Sequence, residues 1–294
     1  MKKITLGLTG QALGEIKTFD KIVDLAKEKY GITHFELWPV NVPGEGLGYC
    51  DRDISQIVKI KEEKKVAIDC VTQEAAFVEA AVKDENWYRQ IMKGTIDAAV
   101  AVGAKVVNHY CYFINLDEKP DFDKLDQYWA EPLDYAKKRG ITLVLENEAH
   151  DVTRHPETTA KIVEHFHDSA FKTNLDAVNY FHASEEGFPA AYEILKPYIG
   201  YVHLKNACLY REGAGQEKRD QGAPMSGIYE GRPIQYAPIP DGSVNIGGLI
   251  NRILEDDLYH GAAYHTGSSG VFLRKRNRMV KRTSVYLKRR TYIC

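Results

Sequence analysis

Short apolar runs alternate with longer stretches of helical periodicity along most of this chain. The runs predict strands at 4–8, 34–37, 66–71, 105–109, 142–146, 172–176 and 201–204, with a weaker eighth strand at 262–265. Between them, apolar residues recur every three to four positions and predict helices at 19–29, 54–63, 85–102, 122–139, 156–166, 190–195 and 246–255. Such alternation is typical of parallel strands joined by right-handed crossover helices.

Glycines mark the ends of several predicted helices. Gly31, Gly103 and Gly140 each follow a helix and precede a strand, as left-handed C-caps do. Seven or eight strand–helix units within 294 residues favour a closed (β/α)8 TIM barrel of the α/β class, with 1–294 as a single domain. No GxGxxG follows the first strand, which argues against a dinucleotide-binding open sheet.

Two stretches depart from the alternation of strands and helices. Residues 208–241 are rich in Gly, Pro and charge without clear periodicity, and so long a connection in a barrel predicts a lid over the active site. The tail at 267–294 carries nine Lys and Arg between Arg274 and Arg290, and no acidic residue follows Asp257. We interpret the tail as a basic terminal helix on the barrel wall; nucleic-acid contact and an altered C-terminus are the alternatives.

Charge and composition limit the classes of partner. A net charge of −2 gives no global field that would favour nucleic acid or an acidic membrane. No apolar run is long enough to span a bilayer, and the N-terminus alternates instead of forming a signal core. Five scattered cysteines without a CxxC pair suit reduced thiols. We therefore expect a cytoplasmic protein with no membrane partner; a homo-oligomer is compatible with the sequence.

Polar residues end several predicted strands, where a parallel barrel has its active site. Glu146 closes TLVLE, Asp176 closes KTNLD, and His203 lies near the end of IGYVHLK. Two carboxylates and an imidazole converging there would suit one divalent ion: Mn²⁺, Mg²⁺, Co²⁺ or Zn²⁺. Such an ion can polarise a sugar carbonyl while a carboxylate moves the adjacent proton.

The segments TLVLENEAH, FKTNLDAVNY and IGYVHLKNA resemble strand-end motifs of the xylose isomerase-like TIM-barrel superfamily. That superfamily contains sugar and sugar-phosphate isomerases and epimerases, and metal-dependent apurinic endonucleases. The resemblance implies that Glu146, Asp176 and His203 bind the metal together with a Glu after the eighth strand. It also implies that Asn179 contacts substrate or metal, and it places Lys205 in the family's H-x-K-D run.

The end of the resemblance departs from the family pattern. The family's final Glu, often followed two residues later by His, corresponds to Ala263 and His265 in GAAYHT. In the ketose epimerases that Glu is also an acid/base group. Either His265 or an acid of the predicted lid such as Glu230 takes its place, or the metal site is incomplete.

Further polar and aromatic residues near strand ends are candidates for function. The predicted substrate contacts are Glu36, Trp38, His109, Asn179 and Arg211. Glu146 and Lys205 are predicted to act in catalysis, and His265 to be the fourth metal ligand. Structural alternatives remain open: His109 would bond a buried carbonyl, Lys205 would form a salt bridge at the barrel rim, and Trp38 would belong to the core.

The resemblance and the strand-end residues together predict an enzyme, a metal-dependent isomerase or epimerase of a small sugar or sugar phosphate. One alternative is a DNA-repair endonuclease of the same superfamily, although that chemistry uses several metals and a basic face. The others are a non-catalytic sugar-binding barrel, favoured by the missing Glu, and a polyol dehydratase.

Overall fold

The computed structural model describes residues 6–13, 15–46, 48–73, 84–111, 119–210 and 228–256, and the backbone of 263–265. In chain order the strands are β1 (Leu8–Thr9), β2 (His34–Leu37), β3 (Ala67–Thr72), β4 (Val106–His109), β5 (Thr142–Glu146), β6 (Phe171–Asp176), β7 (Ile199–His203), β8 (Asn206–Leu209), β9 (Ile228–Tyr229), β10 (Arg232–Ala237) and β11 (Ala263–His265). β1 to β7 and then β11 form one parallel sheet in which each strand pairs with the next. These eight strands overlap the eight predicted ones, whereas the sequence did not predict β8, β9 and β10.

Helices follow most strands of the parallel sheet. They are α1 (Phe19–Tyr30), α2 (Ile54–Lys64), α3 (Glu85–Val102), α4 (Phe122–Arg139), α5 (Pro156–Phe166), α6 (Ala177–His182), α7 (Tyr192–Leu195) and α8 (Ile246–Glu255). The periodicity missed α6, because six residues are too short to show an apolar stripe. The predicted helix at 190–195 is divided between a kinked segment, Gly187–Ala191, in which Phe188 has extended backbone angles, and α7.

The predicted glycine caps are confirmed. Gly31, Gly103 and Gly140 end α1, α3 and α4 with φ of 65°, 77° and 69°. Each glycine donates its backbone N–H to carbonyls of the last helical turn, which a left-handed residue can reach. The chain leaves each helix at once and enters the next strand within three residues.

Contacts across the interior show that the sheet is curled. Four strands separate β2 from β7, so they would lie about 24 Å apart in a flat sheet. Yet the hydroxyl of Tyr201 on β7 donates to Glu36 Oε2 on β2 at 3.0 Å, and His203 Nε2 lies 3.4 Å from the same oxygen. The parallel sheet therefore wraps around its own interior, as the predicted (β/α)8 barrel requires.

The barrel interior is apolar at one level and polar at the next. Cys70, Val106, Val144 and Tyr201, from four different strands, form a buried apolar layer. Two residues further along β5 the inward position holds Glu146, because strand side chains alternate between faces. The polar level therefore lies at the carboxyl ends of the strands.

The segment predicted as an irregular lid contains regular structure, so that part of the prediction is wrong. β8, β10 and β9 form an antiparallel sheet with β10 in the middle. Tyr229 stacks on Phe181 of α6 with ring centroids 4.2 Å apart, and Asn206 Nδ2 donates to the carbonyls of Ile239 and Val244 at 2.8 and 2.9 Å. Residues 211–227 lie outside the described residues, and a closing motion stays a prediction.

Three further sequence predictions concern the basic tail, membrane-spanning segments and the cysteines. The basic tail at 267–294 lies outside the described residues. Within the part of the chain that the structure describes, no helix is both long and apolar enough to cross a membrane. Cys50, Cys70, Cys111 and Cys208 have free thiols, as expected for scattered cysteines without a pairing motif.

Candidate metal centre

Two carboxylates and one imidazole meet at the carboxyl ends of β5, β6 and β7. Glu146, Asp176 and His203 each offer one ligand atom, and these atoms lie within 4.8 Å of one another. His203 Nδ1 is 2.7 Å from Glu146 Oε1 and 3.9 Å from Asp176 Oδ2. All three side chains are buried. Among the described residues this is the one group of three such side chains, and it joins residues that the sequence pattern selected separately.

Asp176 uses its two carboxylate oxygens for different contacts. Oδ1 accepts from the backbone N–H groups of Val178 and Asn179 at 2.9 and 3.1 Å, and so caps the N-terminus of α6. Oδ2 faces His203 and lies 3.0 Å from Lys205 Nζ. The capping contact therefore leaves one carboxylate oxygen directed into the centre.

Lys205 lies next to the Asp176 oxygen that faces the centre. Its Nζ donates to Asn179 Oδ1 at 2.6 Å and lies 5.7 Å from the centroid of Tyr236 on β10. Burial disfavours the charged amine, but the Asp176 carboxylate, together with Tyr236, Glu148 and Glu146, outweighs this effect and raises the pKa of Lys205. Asn179 Nδ2 donates to the carbonyl of Asn147 at 2.8 Å, so both polar atoms of the Asn179 side chain are engaged. The structure thus places Asn179 as a support of Lys205 and Asp176.

Two asparagines that the sequence interpretation missed hold Glu146 in place. Asn108 Nδ2 donates to Glu146 Oε2 at 2.8 Å, and Asn174 Nδ2 donates to Asn108 Oδ1 at 3.0 Å. The period of two was the available signal, because Asn174 lies two residues before Asp176 and shares its face. On β4, the sequence interpretation selected the last polar residue, His109, and not its neighbour Asn108.

The centre contains several closely spaced, buried acidic groups, whose negative charge must be compensated by nearby positive charge. Burial raises the pKa of Asp176, and burial together with the Glu146 carboxylate raises the pKa of Glu148 well above its usual range. Burial would also raise the pKa of Glu146, but the charge and hydrogen bond of His203 lower it. Burial disfavours the His203 imidazolium, yet Glu146 and Glu36 outweigh it and raise the pKa of His203 to about 9. A proton on His203 therefore supplies part of the compensating charge at neutral pH.

His109 lies away from this centre, contrary to its predicted position. It is on the opposite face of β4 from Asn108, packed against Trp129 of α4 and Phe171 with ring centroids 5.0 and 5.6 Å away. Burial lowers the pKa of His109 to about 3, so the ring is neutral. Strand alternation directs this last residue of β4 toward the helices, and His109 does not reach the barrel mouth.

Trp38, a predicted substrate contact, and Tyr110, which follows β4, are both buried. Trp38 is 6% exposed, belongs to the core and donates its Nε1–H to Thr9 Oγ1 at 2.8 Å. Tyr110 is 1% exposed, and its hydroxyl accepts from Asn108 Nδ2 at 3.3 Å. The core alternative for Trp38 agrees with its placement.

Glu36, another predicted substrate contact, lies inside the barrel with no exposed surface. Thr72 Oγ1 donates to its Oε1, and the Tyr201 hydroxyl donates to its Oε2. His203 Nε2 lies 3.4 Å from Oε2. The structure therefore places Glu36 against His203 and not at the surface of the barrel mouth.

The remaining candidates include two whose side chains are not described. Arg211 lies outside the described residues, and for His265 only the backbone is described. In the parallel pairing of β11 with β7, His265 lies beside His203, and Ala263 lies beside Tyr201. Glu230 is an exposed residue in the turn between β9 and β10, with φ of 49° and its backbone N–H bonded to Ser184 Oγ at 3.2 Å.

Comparison with known proteins identifies the family. A family model described as a xylose isomerase-like TIM barrel matches residues 23–265. Because this match covers most of the chain, the protein belongs to the xylose isomerase-like TIM-barrel family. A search of curated proteins found no match to this sequence.

Solved structures with the same fold include three whose descriptions mention a metal or an epimerase. A xylose isomerase-like TIM barrel protein from Mycobacterium smegmatis in complex with magnesium is 17% identical, with TM-score 0.63, covering 84% of this chain and 80% of that chain. The IOLI protein with a bound zinc atom is 15% identical, with TM-score 0.57 and coverage of 85% and 84%. A D-allulose 3-epimerase from Methylomonas sp. is 14% identical, with TM-score 0.61 and coverage of 90% and 84%. At these identities the likeness shows the fold.

Proposed function

We propose that this protein is a metal-dependent isomerase or epimerase of a small sugar or sugar phosphate. The observation that carries the proposal is the convergence of Glu146, Asp176 and His203 within 4.8 Å at the carboxyl ends of three neighbouring strands. Active sites of barrels with this topology lie at that face. Structural neighbours include a D-allulose 3-epimerase and proteins with bound magnesium or zinc.

The donor set suits one divalent ion. Two carboxylates and a neutral imidazole carry a charge of about −2, which a divalent cation balances, and oxygen with nitrogen ligands suits Mn²⁺, Mg²⁺, Co²⁺ or Zn²⁺. All three side chains are buried, so their charges are poorly compensated by water. When bound, the ion would polarise the substrate carbonyl and lower the barrier to loss of the proton beside it.

The protein side chains would transfer the proton and stabilise the negative charge that forms on the substrate. The lowered pKa of Glu146 keeps its carboxylate ionised at neutral pH, where it can accept a proton. Asn108 holds Glu146 Oε2 at 2.8 Å and so fixes the direction of the carboxylate. The charged amine of Lys205, 3.0 Å from Asp176 Oδ2, adds positive charge near the negative charge that develops on a deprotonated substrate.

Solvent deuterium exchange tests the proposed chemistry. The purified protein would be incubated with Mn²⁺ and a panel of ketoses and ketose phosphates in deuterated buffer, and the sugars analysed by NMR and mass spectrometry. We expect deuterium on the carbon beside the carbonyl, and chelation of the metal should abolish its incorporation. Loss of water from a polyol would indicate a dehydratase instead. Absence of exchange across the whole panel would contradict proton-transfer catalysis.

A non-catalytic sugar-binding barrel is the second candidate function. The observation that favours it is β11, which carries Ala263 where the family has a Glu. Sugar binding that persists in chelator, without any exchange, would support this alternative. The endonuclease alternative predicts about three metal ions per chain, so measurement of metal stoichiometry separates it from both.

A further inference from the structure

The imidazole of His203 lies between carboxylates at both of its nitrogens. Nδ1 is 2.7 Å from Glu146 Oε1 and 3.9 Å from Asp176 Oδ2, so this nitrogen faces the candidate metal centre. Nε2, on the other edge of the ring, is 3.4 Å from Glu36 Oε2. A neutral imidazole has one N–H and one free lone pair, so the partner of one nitrogen decides what the other can bind.

Hydrogen bonds fix the orientation of Glu36 inside the barrel, beside His203. Its side chain comes from β2, on the opposite side of the barrel from His203 on β7. Thr72 donates to Oε1 and Tyr201 donates to Oε2, the latter at 3.0 Å. The side chain has no exposed surface. The oxygen that faces His203 is therefore fixed by the interior of the barrel.

We propose that Glu36 is a positioning residue for His203. Its Oε2 accepts the Nε2–H of the neutral imidazole, which leaves the lone pair of Nδ1 directed at Glu146 and Asp176. This inference rests on the proposed metal-dependent function and assigns Glu36 a role through His203, not through substrate. Carboxylate partners that orient ligand histidines commonly contribute about 10–100-fold to metal affinity.

Metal affinity of matched variants tests the proposal. Mn²⁺ would be titrated into wild type, Glu36→Gln and Asp126→Asn, with free Mn²⁺ measured by electron paramagnetic resonance. Glutamine can donate to Nε2 and favour the wrong tautomer, so we expect the dissociation constant of E36Q to rise about 10–100-fold. D126N removes a carboxylate from a histidine pair between α4 and α5, where Asp126 Oδ1 lies 2.8 Å from His165 Nε2, so its Mn²⁺ affinity should stay at the wild-type value.

Nitrogen NMR of the wild type gives a readout that a purely structural role would not move. With ¹⁵N-labelled histidine and Zn²⁺, we expect His203 to show a metal-bound Nδ1 and a protonated Nε2 that exchanges slowly with water. This measurement decides the tautomer even if E36Q does not fold. The same spectrum of a folded E36Q should show loss of the slowly exchanging Nε2–H.

Three outcomes would overturn the inference. A metal-bound Nε2 in the wild type would contradict the proposed tautomer. Equal Mn²⁺ affinity of E36Q and wild type would remove the positioning role while leaving the metal centre intact. If the wild type itself bound no metal, the proposed function would fail first and this inference with it, so the two failures are distinguishable.

Discussion

At the residue scale, Asp176 shows how one side chain can both stabilise the fold and belong to a site. Oδ1 caps α6 through Val178 and Asn179, and Oδ2 faces the candidate centre. An Asn at this position would keep a capping oxygen but lose the charge. The two functions of Asp176 can therefore be separated by a nearly isosteric substitution.

We expect Asp176→Asn to weaken divalent metal binding by roughly 100-fold or more, since loss of a ligand exceeds the loss of an outer partner. Isothermal titration with Mn²⁺ would measure it. Asp121→Asn is the matched control, because Asp121 also caps a helix, α4, by accepting from Lys124 N–H. Unchanged metal affinity in D176N would contradict the assignment of Asp176 as a ligand.

The raised pKa of His203 predicts that metal binding releases a proton. With a pKa of about 9, the metal-free imidazole is protonated at pH 7.5, and it must be neutral to bind a metal. The apparent affinity should therefore increase with pH and level off above about pH 9. Titration calorimetry in buffers of different ionisation enthalpy should show release of about one proton at pH 7.5 and less above pH 9. Affinity that is independent of pH would argue against His203 as a ligand.

At the element scale, the glycine caps show how local conformation sets the entry into each strand. Gly140 ends α4 with φ of 69°, and β5 begins two residues later. A Cβ on Gly140 would meet nothing within 4 Å, so an alanine there would be strained only by its backbone conformation. This makes Gly140 a position where the conformational cost can be measured without a steric one.

We expect Gly140→Ala to lower the free energy of unfolding by about 1–2 kcal/mol, because alanine disfavours the left-handed region. Gly247→Ala should instead raise it by about 0.5–1 kcal/mol, because Gly247 lies in the first turn of α8 and an added Cβ would have ample space. Urea denaturation of both variants would measure these changes. Effects of the same sign would contradict the backbone explanation.

At the scale of the whole molecule, the candidate centre depends on barrel closure. Its three side chains come from β5, β6 and β7, and Glu36 reaches them from β2 across the interior. An unfolded chain cannot hold these groups together, so a metal that they bind must favour the folded state. Metal binding and global stability should therefore be coupled.

Addition of Mn²⁺ to 100 times its dissociation constant should raise the free energy of unfolding by about 2.7 kcal/mol. For a chain of this length that corresponds to an increase in Tm of about 5 °C. Differential scanning calorimetry with metal and with chelator would measure the shift, and D176N should show little of it. A wild-type Tm that is insensitive to metal would contradict the proposed centre.

Much of this fold was readable from local sequence patterns. Periodicity located the eight strands of the parallel sheet, and Gly31, Gly103 and Gly140 marked helix ends, because these signals depend on residues close together in the chain. The strand-end positions of Glu146 and Asp176 followed from the same patterns. The antiparallel strands β8, β9 and β10 did not, since they are short and their pairing joins distant segments.

Only the tertiary structure decided which face of each strand turned inward and which residues met across the barrel. Alternation divides β4 into two faces, but it does not say that Asn108 faces the interior and His109 the helices. The contact between His203 and Glu36 exists only because the sheet curls and brings β7 opposite β2. The sequence by itself therefore determined the order of strands and the chemistry at their ends. Closure of the barrel determined the neighbours of each side chain, and with them the hydrogen bonds and pKa values of the candidate centre.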